Sequence, residues 1–131
     1  MSAEIQTREA IRIVLEASAT LRARVNQISD GDPAKASSPW LMLGEGSASG
    51  FGARGVDGVA LRVPVILTLR GDAPGDVDAV LDAVDVAMRT VPDMIGDWKV
   101  TVMRFERSRL RRDKAGWRIV SDYALRLVRA I

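Results

Sequence analysis

The chain has 131 residues, 47% of them hydrophobic and 27% charged, a composition typical of a soluble globular protein that predicts one domain over residues 1–131. It contains no cysteine and no histidine, which excludes disulfides, thiolate nucleophiles and serine–histidine triads. We therefore expect no catalytic site, no metal and no cofactor. The charged N-terminal segment has no signal-peptide core and no run of the chain approaches a membrane span, so we expect no contact with membranes.

The net charge of +2 conceals an uneven distribution. Residues 98–131 hold ten Lys or Arg against three acids, whereas residues 1–97 hold nine against fourteen. Such polarity is typical of a protein that meets nucleic acid on one side, or of subunits that join a basic face to an acidic one. Arginines on the solvated face of a hairpin would give the same count, so three interpretations stay open at this point.

An amphipathic helix is predicted at the N-terminus, with Ser2 as its cap and Ala3 as its first residue. The Ser and Thr residues between positions 17 and 20 predict a break, and residues 30–33 predict the end. We expect this helix to pack on a sheet. Its apolar residues recur at steps of three and four and form one stripe: Ile11, Val14, Leu15, Leu21, Val25 and Ile28.

Two flexible loops are predicted, over residues 30–39 and 44–58, with a short buried strand at residues 39–45 between them. The second loop holds six glycines, and Phe51 is its only large apolar side chain before Val56. Glycine at this density loses backbone entropy on folding and offers little surface to bury.

The clearest predicted strand covers residues 59–69, where Val or Leu occupies every second position. Pro64 lies on the other face of this strand and has no N–H to donate. We therefore expect the strand to lie at a sheet edge or to carry a bulge at Pro64.

A second helix is predicted after residues 72–75, where Asp72 can cap it and Pro74 suits the first turn. Its predicted buried stripe is Val77, Val80, Leu81, Val84 and Met88. The other side is acidic, with Asp76, Asp78, Asp82 and Asp85. This spacing lacks the glycine and the distal Glu of a calcium loop, so we expect a solvated acidic face.

The C-terminal third is predicted to form a long antiparallel hairpin over residues 98–130, with its turn at residues 111–116. The apolar alternation changes phase between Val102 and Met103, which predicts a bulge. Arginines crowd toward the tip. In chain order, the elements predict an α+β fold: an antiparallel β-sheet of about four strands with two helices packed on one face.

The order, spacing and length of these elements resemble the minor tail protein family that terminates or completes the tail of long-tailed phages, with relatives in gene transfer agents. Four stretches carry the resemblance and together cover most of the chain. They are PWLMLGE at residues 39–45, the glycine-rich gap with the strand up to Arg70, DVDAVLDAV at residues 76–84, and VMRFERSRLRRD at residues 102–113 followed by Gly116 and Trp117.

The resemblance implies a structural virion protein without catalytic residues. It implies a tail terminator that forms a ring, usually of six subunits, caps the tail tube, stops its polymerisation and joins it to the head-side connector. The implied partners are other copies of the chain, the tail tube protein, a head–tail connector or stopper protein, and double-stranded DNA that passes through the lumen without sequence recognition. Such a protein is assembled in the host cytoplasm and resides at the head–tail junction of a virion or gene transfer agent particle.

A closed ring joins one face of a subunit to a different face of the next. The acidic helix and the arginine-rich hairpin have opposite charges and are therefore candidates for the two sides of such a contact. The two predicted loops are expected to contact neighbouring rings, with Phe51 as an apolar anchor. The residues predicted at these interfaces are Phe51, Arg54, Asp76, Asp78, Asp82, Asp85, Arg107, Arg109, Arg111 and Arg112.

Two other functions stay open. A small nucleic-acid-binding module could use the basic C-terminal hairpin, although no RNA-recognition or helix–turn–helix signature is present and the aromatic residues other than Phe51 occupy predicted core positions. Steep salt-dependent binding to DNA would favour that module. A small enzyme could use the carboxylates of Asp93, Asp97 and Glu106, but no pair of them has a geometric relation that the sequence reveals.

Overall fold

The computed structural model describes residues 2–35, 37–70, 77–112, 114 and 116–130. The described part of the chain contains three helices and seven strands. The helices are α1 (Ala3–Glu16), α2 (Ala19–Arg24) and α3 (Val77–Met88). The strands are β1 (Ile28–Asp30), β2 (Trp40–Leu43), β3 (Ser47–Gly50), β4 (Val56–Arg70), β5 (Met94–Ile95), β6 (Trp98–Arg112) and β7 (Gly116–Ala130).

The N-terminal helix begins and breaks where the sequence predicts. The Ser2 hydroxyl accepts a hydrogen bond from the N–H of Ile5, and the Ser18 hydroxyl caps α2 by accepting one from the N–H of Leu21. The predicted end is wrong, because α2 stops at Arg24 and Ile28 already belongs to a strand. Residues 28–30 pair with β2 in parallel, so backbone hydrogen bonding to β2 overrides the helical spacing of Ile28.

One sheet contains all seven strands, in the order β1-β2-β4-β7-β6-β5, with β3 paired to the first part of β4. The predicted four-stranded antiparallel sheet with two helices is therefore wrong: the sheet is mixed, because β1 and β2 are parallel, and three helices accompany it. It curls around α1, which contacts both terminal strands of the order, β1 and β5. The guanidinium of Arg8 holds this arrangement by pairing with Asp30 at 2.6 Å and donating to the carbonyl of Leu43.

Strand β4 is central, not an edge. It pairs with β7 over its whole length, and β3 and β2 pair in turn along its other side. Pro64 lies between these two pairing regions, where the N–H of Gly44 donates to the Pro64 carbonyl at 2.8 Å. The N atom and the carbonyl of a strand residue point the same way, so the missing donor of Pro64 faces the gap between β2 and β3. Of the two predicted alternatives, the edge position is wrong for this reason, and the register of β4 with β7 continues past Pro64 without a bulge.

The glycine-rich segment over residues 44–58 contains a strand that the sequence does not predict. Residues 47–50 pair antiparallel with residues 59–62. The hairpin of β6 and β7 is confirmed, and it carries two bulges, one between Val100 and Val102 and one between Phe105 and Arg107. The first lies close to the predicted phase change.

The core lies between the helices and the odd-numbered residues of β4 and β7. Ile11 and Leu15 of α1 belong to the same buried cluster as Leu67 of β4 and Leu125 of β7, and all four have almost no exposed surface. On α3, Val80, Ala83, Val84, Ala87 and Met88 are buried, while Val77 and Leu81 are half-buried. The predicted stripe of α3 is thus close to the observed one.

Candidate interaction surfaces

The period of two along the long strands gives the sheet two different surfaces. On one surface, called the helix side, the strands pack against the three helices. The other surface, called the open face, contains the even-numbered residues of β4 and β7 and the β6 residues that pair with them. The two bulges in β6 shift its alternation, so Phe105 and Leu110 lie on the helix side while Arg107, Arg109 and Arg111 lie on the open face.

A groove of about 520 Å³ runs between α3 and β6 on the helix side. We call it the α3–β6 groove. Phe105 in its wall is 49% exposed. Leu110, on the same side of β6, and Val86 of α3 are each 63% exposed. Exposed apolar side chains close together mark surfaces that associate with another protein. The groove is lined by Leu81, Asp82, Asp85, Arg89, Met103, Arg104, Phe105, Ser108, Ser121 and Tyr123.

Tyr123 forms the floor of this groove. Its ring packs edge-on against Phe105 with 5.8 Å between centroids, and its hydroxyl donates to Oδ1 of Asp85 at 3.2 Å. Burial and then the negative charge of Asp85 raise the pKa of Tyr123, so the phenol is a neutral donor. The other oxygen of Asp85 pairs with Arg89 at 2.9 Å. Asp85 therefore serves contacts within its own chain, whereas Asp78 and Asp82 are exposed and make no ion pair with another described residue.

The open face is dominated by arginine. Two acidic side chains hold three of these arginines in place. Asp122 is 1% exposed and pairs with Arg107 at 2.9 Å and with Arg109 at 3.4 Å. Glu106 pairs with Arg62 at 2.6 Å. A buried carboxylate requires such partners, because desolvation of an unpaired charge is costly.

Phe51 lies at the end of the open face where β4 begins. Its ring packs on the backbone of Gly58, where an added Cβ would lie 2.5 Å from the ring, and the guanidinium of Arg126 covers it at 4.1 Å from the centroid. The side chain is 37% exposed. Most of its surface is thus used within its own chain, which leaves a smaller apolar area for a neighbour than the sequence indicates.

The predicted interface residues divide between the two sides of the sheet. Asp78, Asp82 and Asp85 lie on α3, and Asp76 lies outside the described residues. Arg107, Arg109 and Arg111 lie on the open face, Arg112 lies on the helix side over the ring of Trp117, and Arg54 is exposed in the turn between β3 and β4.

The sequence predicts a core position for Phe105, which is wrong because the side chain is 49% exposed, and it gives no sign of a functional role for Leu110 or Asp122. The phase change in β6 was the available signal, because it decides which side of the sheet each later residue faces. Neither a metal-binding cluster of acids nor a helix able to span a membrane occurs within the described ranges.

A chain from a structure of the virion of a native gene transfer agent particle has a similar fold. The two superpose with a TM-score of 0.80, over 92% of this chain and 93% of that one, at 19% sequence identity. At this identity the likeness establishes the fold. No curated protein matches the chain in sequence.

The family model described as tail completion protein gp17 matches residues 9–127, which include every helix and strand in whole or in part. The match confirms the resemblance drawn from the order and spacing of the elements. The chain belongs to the tail completion protein family and is a structural component of a virion tail, not an enzyme.

Proposed function

We propose that this protein terminates the tail as a closed ring of identical subunits, which caps the tail tube, stops its growth and joins it to the head-side connector. DNA passes through the centre of the ring. Family membership supports a role in completing the tail. The observation that carries the ring contact is the uncovered α3–β6 groove with its exposed apolar wall. Beside it lie Asp78 and Asp82 of α3, which make no ion pair with another described residue.

The size of the domain constrains such a ring. A folded chain of this length has a radius of gyration of roughly 14 Å and, as a sphere, a diameter of about 36 Å. Six touching spheres of that size leave a hole of about 36 Å, and four leave only about 15 Å. Duplex DNA is about 20 Å across, as its groove dimensions require. The ring therefore needs five or more subunits, and six leaves room for loops that extend inward.

The subunit contact is inferred from the exposed side chains beside the groove. We propose that the hairpin end of one copy, with Leu110 and Arg112 on the helix side, packs against α3 of the next copy. Leu110 would cover Leu81, and Arg112 would meet Asp78 and Asp82. The two surfaces lie on different parts of the chain, as a ring requires. An apolar centre with a charged rim is also the usual anatomy of a protein interface.

A charge exchange tests this contact. Asp82→Arg and Arg112→Asp should each bring like charges together and weaken assembly by several kcal/mol, while the double variant restores an opposite pair. Asp32→Arg is the matched control, because it makes the same charge change at an exposed acid away from α3. Assembly is measured as mass in solution, and as the number of subunits and the tube length in negatively stained tails completed with each variant.

The expected result is rings and tails of regular length with the wild type, the control and the double variant, and overlong tubes with each single variant. Single variants that assemble like the wild type would remove this contact from the proposal. Finished tails that carry one copy of the protein would overturn the ring itself.

A further inference from the structure

The open face carries more positive charge than the fold requires. Among the described residues, eight arginines lie on it against three acids. The arginines are Arg62, Arg70, Arg104, Arg107, Arg109, Arg111, Arg118 and Arg126, and the acids are Glu45, Glu106 and Asp122. Charged side chains on an edge strand can deter mispairing. That explanation covers β6 but not the arginines of β4 and β7, which are interior strands paired on both sides.

The arrangement of two of these arginines is unfavourable for the isolated chain. Arg111 and Arg118 stand directly opposite each other on paired strands, and neither forms an ion pair with another described residue. Like charges at directly opposed positions destabilise a sheet. A surface that tolerates this repulsion is suited to a negatively charged ligand that relieves it.

The open face also lacks the apolar centre of a protein interface. Eight large hydrophobic side chains are exposed among the described residues, and none of them lies in the middle of this face. Five lie on the helices or the helix side, namely Ile5, Ile13, Val86, Phe105 and Leu110, and three lie at the end of the open face where β4 begins, namely Phe51, Val56 and Met94. Among described residues, the face between Arg62 and Arg70 has no exposed large hydrophobic side chain, and its apolar residues Trp40 and Val120 are half-buried. Interfaces with nucleic acid are more polar and more positively charged than interfaces between proteins.

We propose that the open face binds the phosphate backbone of duplex DNA without reading its sequence. Arg107 and Arg109, oriented by the buried Asp122, and Arg62, oriented by Glu106, present fixed guanidinium groups, and Arg111 and Arg118 add unpaired charge. Guanidinium is the side-chain group best matched to phosphate. The claim that this face lines the lumen rests on the proposed ring, whereas binding to DNA does not.

The test titrates a labelled duplex of about 24 base pairs with the full chain between about 50 and 200 mM salt. Contact with four or five phosphates predicts a slope of log K against log salt of about −4. Arg111→Gln with Arg118→Gln should reduce the slope by about 2 and the affinity at low salt by at least about tenfold. The control is Arg22→Gln with Lys35→Gln, which removes the same charge from exposed residues outside the open face and should leave both values unchanged.

Equal losses in the variant and the control, or no salt dependence, would overturn the proposal. Polyglutamate of equal charge that binds as tightly as the duplex would assign the face to an acidic protein instead. The mass of the protein, measured in the same buffers, separates this inference from the ring. DNA binding by a monomer would support this inference and contradict the ring. Rings that do not bind DNA would support the ring and contradict this inference.

Discussion

The two sides of the sheet stabilise their buried polar side chains by different interactions. Asp122 and Tyr123 are adjacent in sequence, point to opposite faces of β7 and are almost fully buried. Asp122 is stabilised by two arginines that remain 57% exposed, so its partners stay available to a ligand. Tyr123 is stabilised by packing and by one carboxylate inside a groove. The open face is thus held by charge and the helix side by apolar packing, and the two should respond differently to substitution.

The largest loss of stability is expected when a buried side chain on the helix side is shortened. Leu125→Ala removes a fully buried side chain beneath the helices and should lower the free energy of unfolding by about 2–5 kcal/mol. Arg118→Ala on the same strand, but on the open face, should change it by no more than about 0.5 kcal/mol. Urea unfolding measures both. Similar values for the two would contradict the division between a packed side and a charged side.

A smaller effect should appear on the open face when Asp122 loses its partners. Arg107→Gln with Arg109→Gln leaves a buried carboxylate without an ion pair, and should cost about 1–3 kcal/mol of unfolding free energy. Asp122→Asn should cost less, because the two exposed arginines can be solvated by water instead. An Asn variant that is the less stable of the two would show that Asp122 stabilises the sheet by other means.

Much of the architecture could be predicted from the sequence because its longest elements have strong periodicity. The alternation in β4 and the spacing in α3 identify both elements, and the hairpin of β6 and β7 follows from its two apolar arms. Among the short strands, β2 lies within the strand predicted at residues 39–45, whereas β1, β3 and β5 were not predicted. Ile28 continues the apolar spacing of the preceding helix, so the sequence does not indicate β1. Strand β3 has the sequence Ser-Ala-Ser-Gly, which has no apolar pattern.

The surfaces were predictable only in part. The concentration of arginine in the last third of the chain is plain in the sequence, and so is the acidic side of α3. Which side of the sheet each arginine faces depends on the two bulges in β6, and only one of these leaves a trace in the apolar pattern. Phe105 is exposed because a groove separates α3 from β6. The position of a helix relative to a strand is a tertiary feature that no local sequence pattern indicates.

At the end of the open face where β4 begins, Phe51 adds apolar packing to a side of the sheet that is otherwise held by charge. Phe51→Ala removes the ring between Gly58 and Arg126 and should cost about 1 kcal/mol, with faster hydrogen exchange confined to β3. Gly58→Ala should give the same local exchange, because its Cβ displaces the ring. If Phe51→Ala leaves hydrogen exchange in β3 unchanged but impairs the completion of tails, the Phe51 side chain contacts a neighbouring protein, as the sequence predicts.

The smallest effect on stability concerns Tyr123 at the floor of the groove, and it decreases at high pH. The pKa of Tyr123 is raised in the folded chain by burial and by Asp85. Below the ordinary tyrosine pKa of about 10 the phenol is protonated in both folded and unfolded states, so its contribution to stability is complete. Above that pH the unfolded chain ionises first, and this contribution is lost as the pH rises.

Tyr123→Phe should therefore be less stable than the wild type by about 1 kcal/mol at neutral pH, through the lost hydrogen bond to Asp85. The difference should shrink above about pH 10. Tyr123 is the single tyrosine of the chain, so tyrosinate absorbance reports this residue alone. Ionisation of the folded protein with an ordinary pKa would mean that water reaches the groove floor, and the helix side would then lack the dry packing that distinguishes it from the open face.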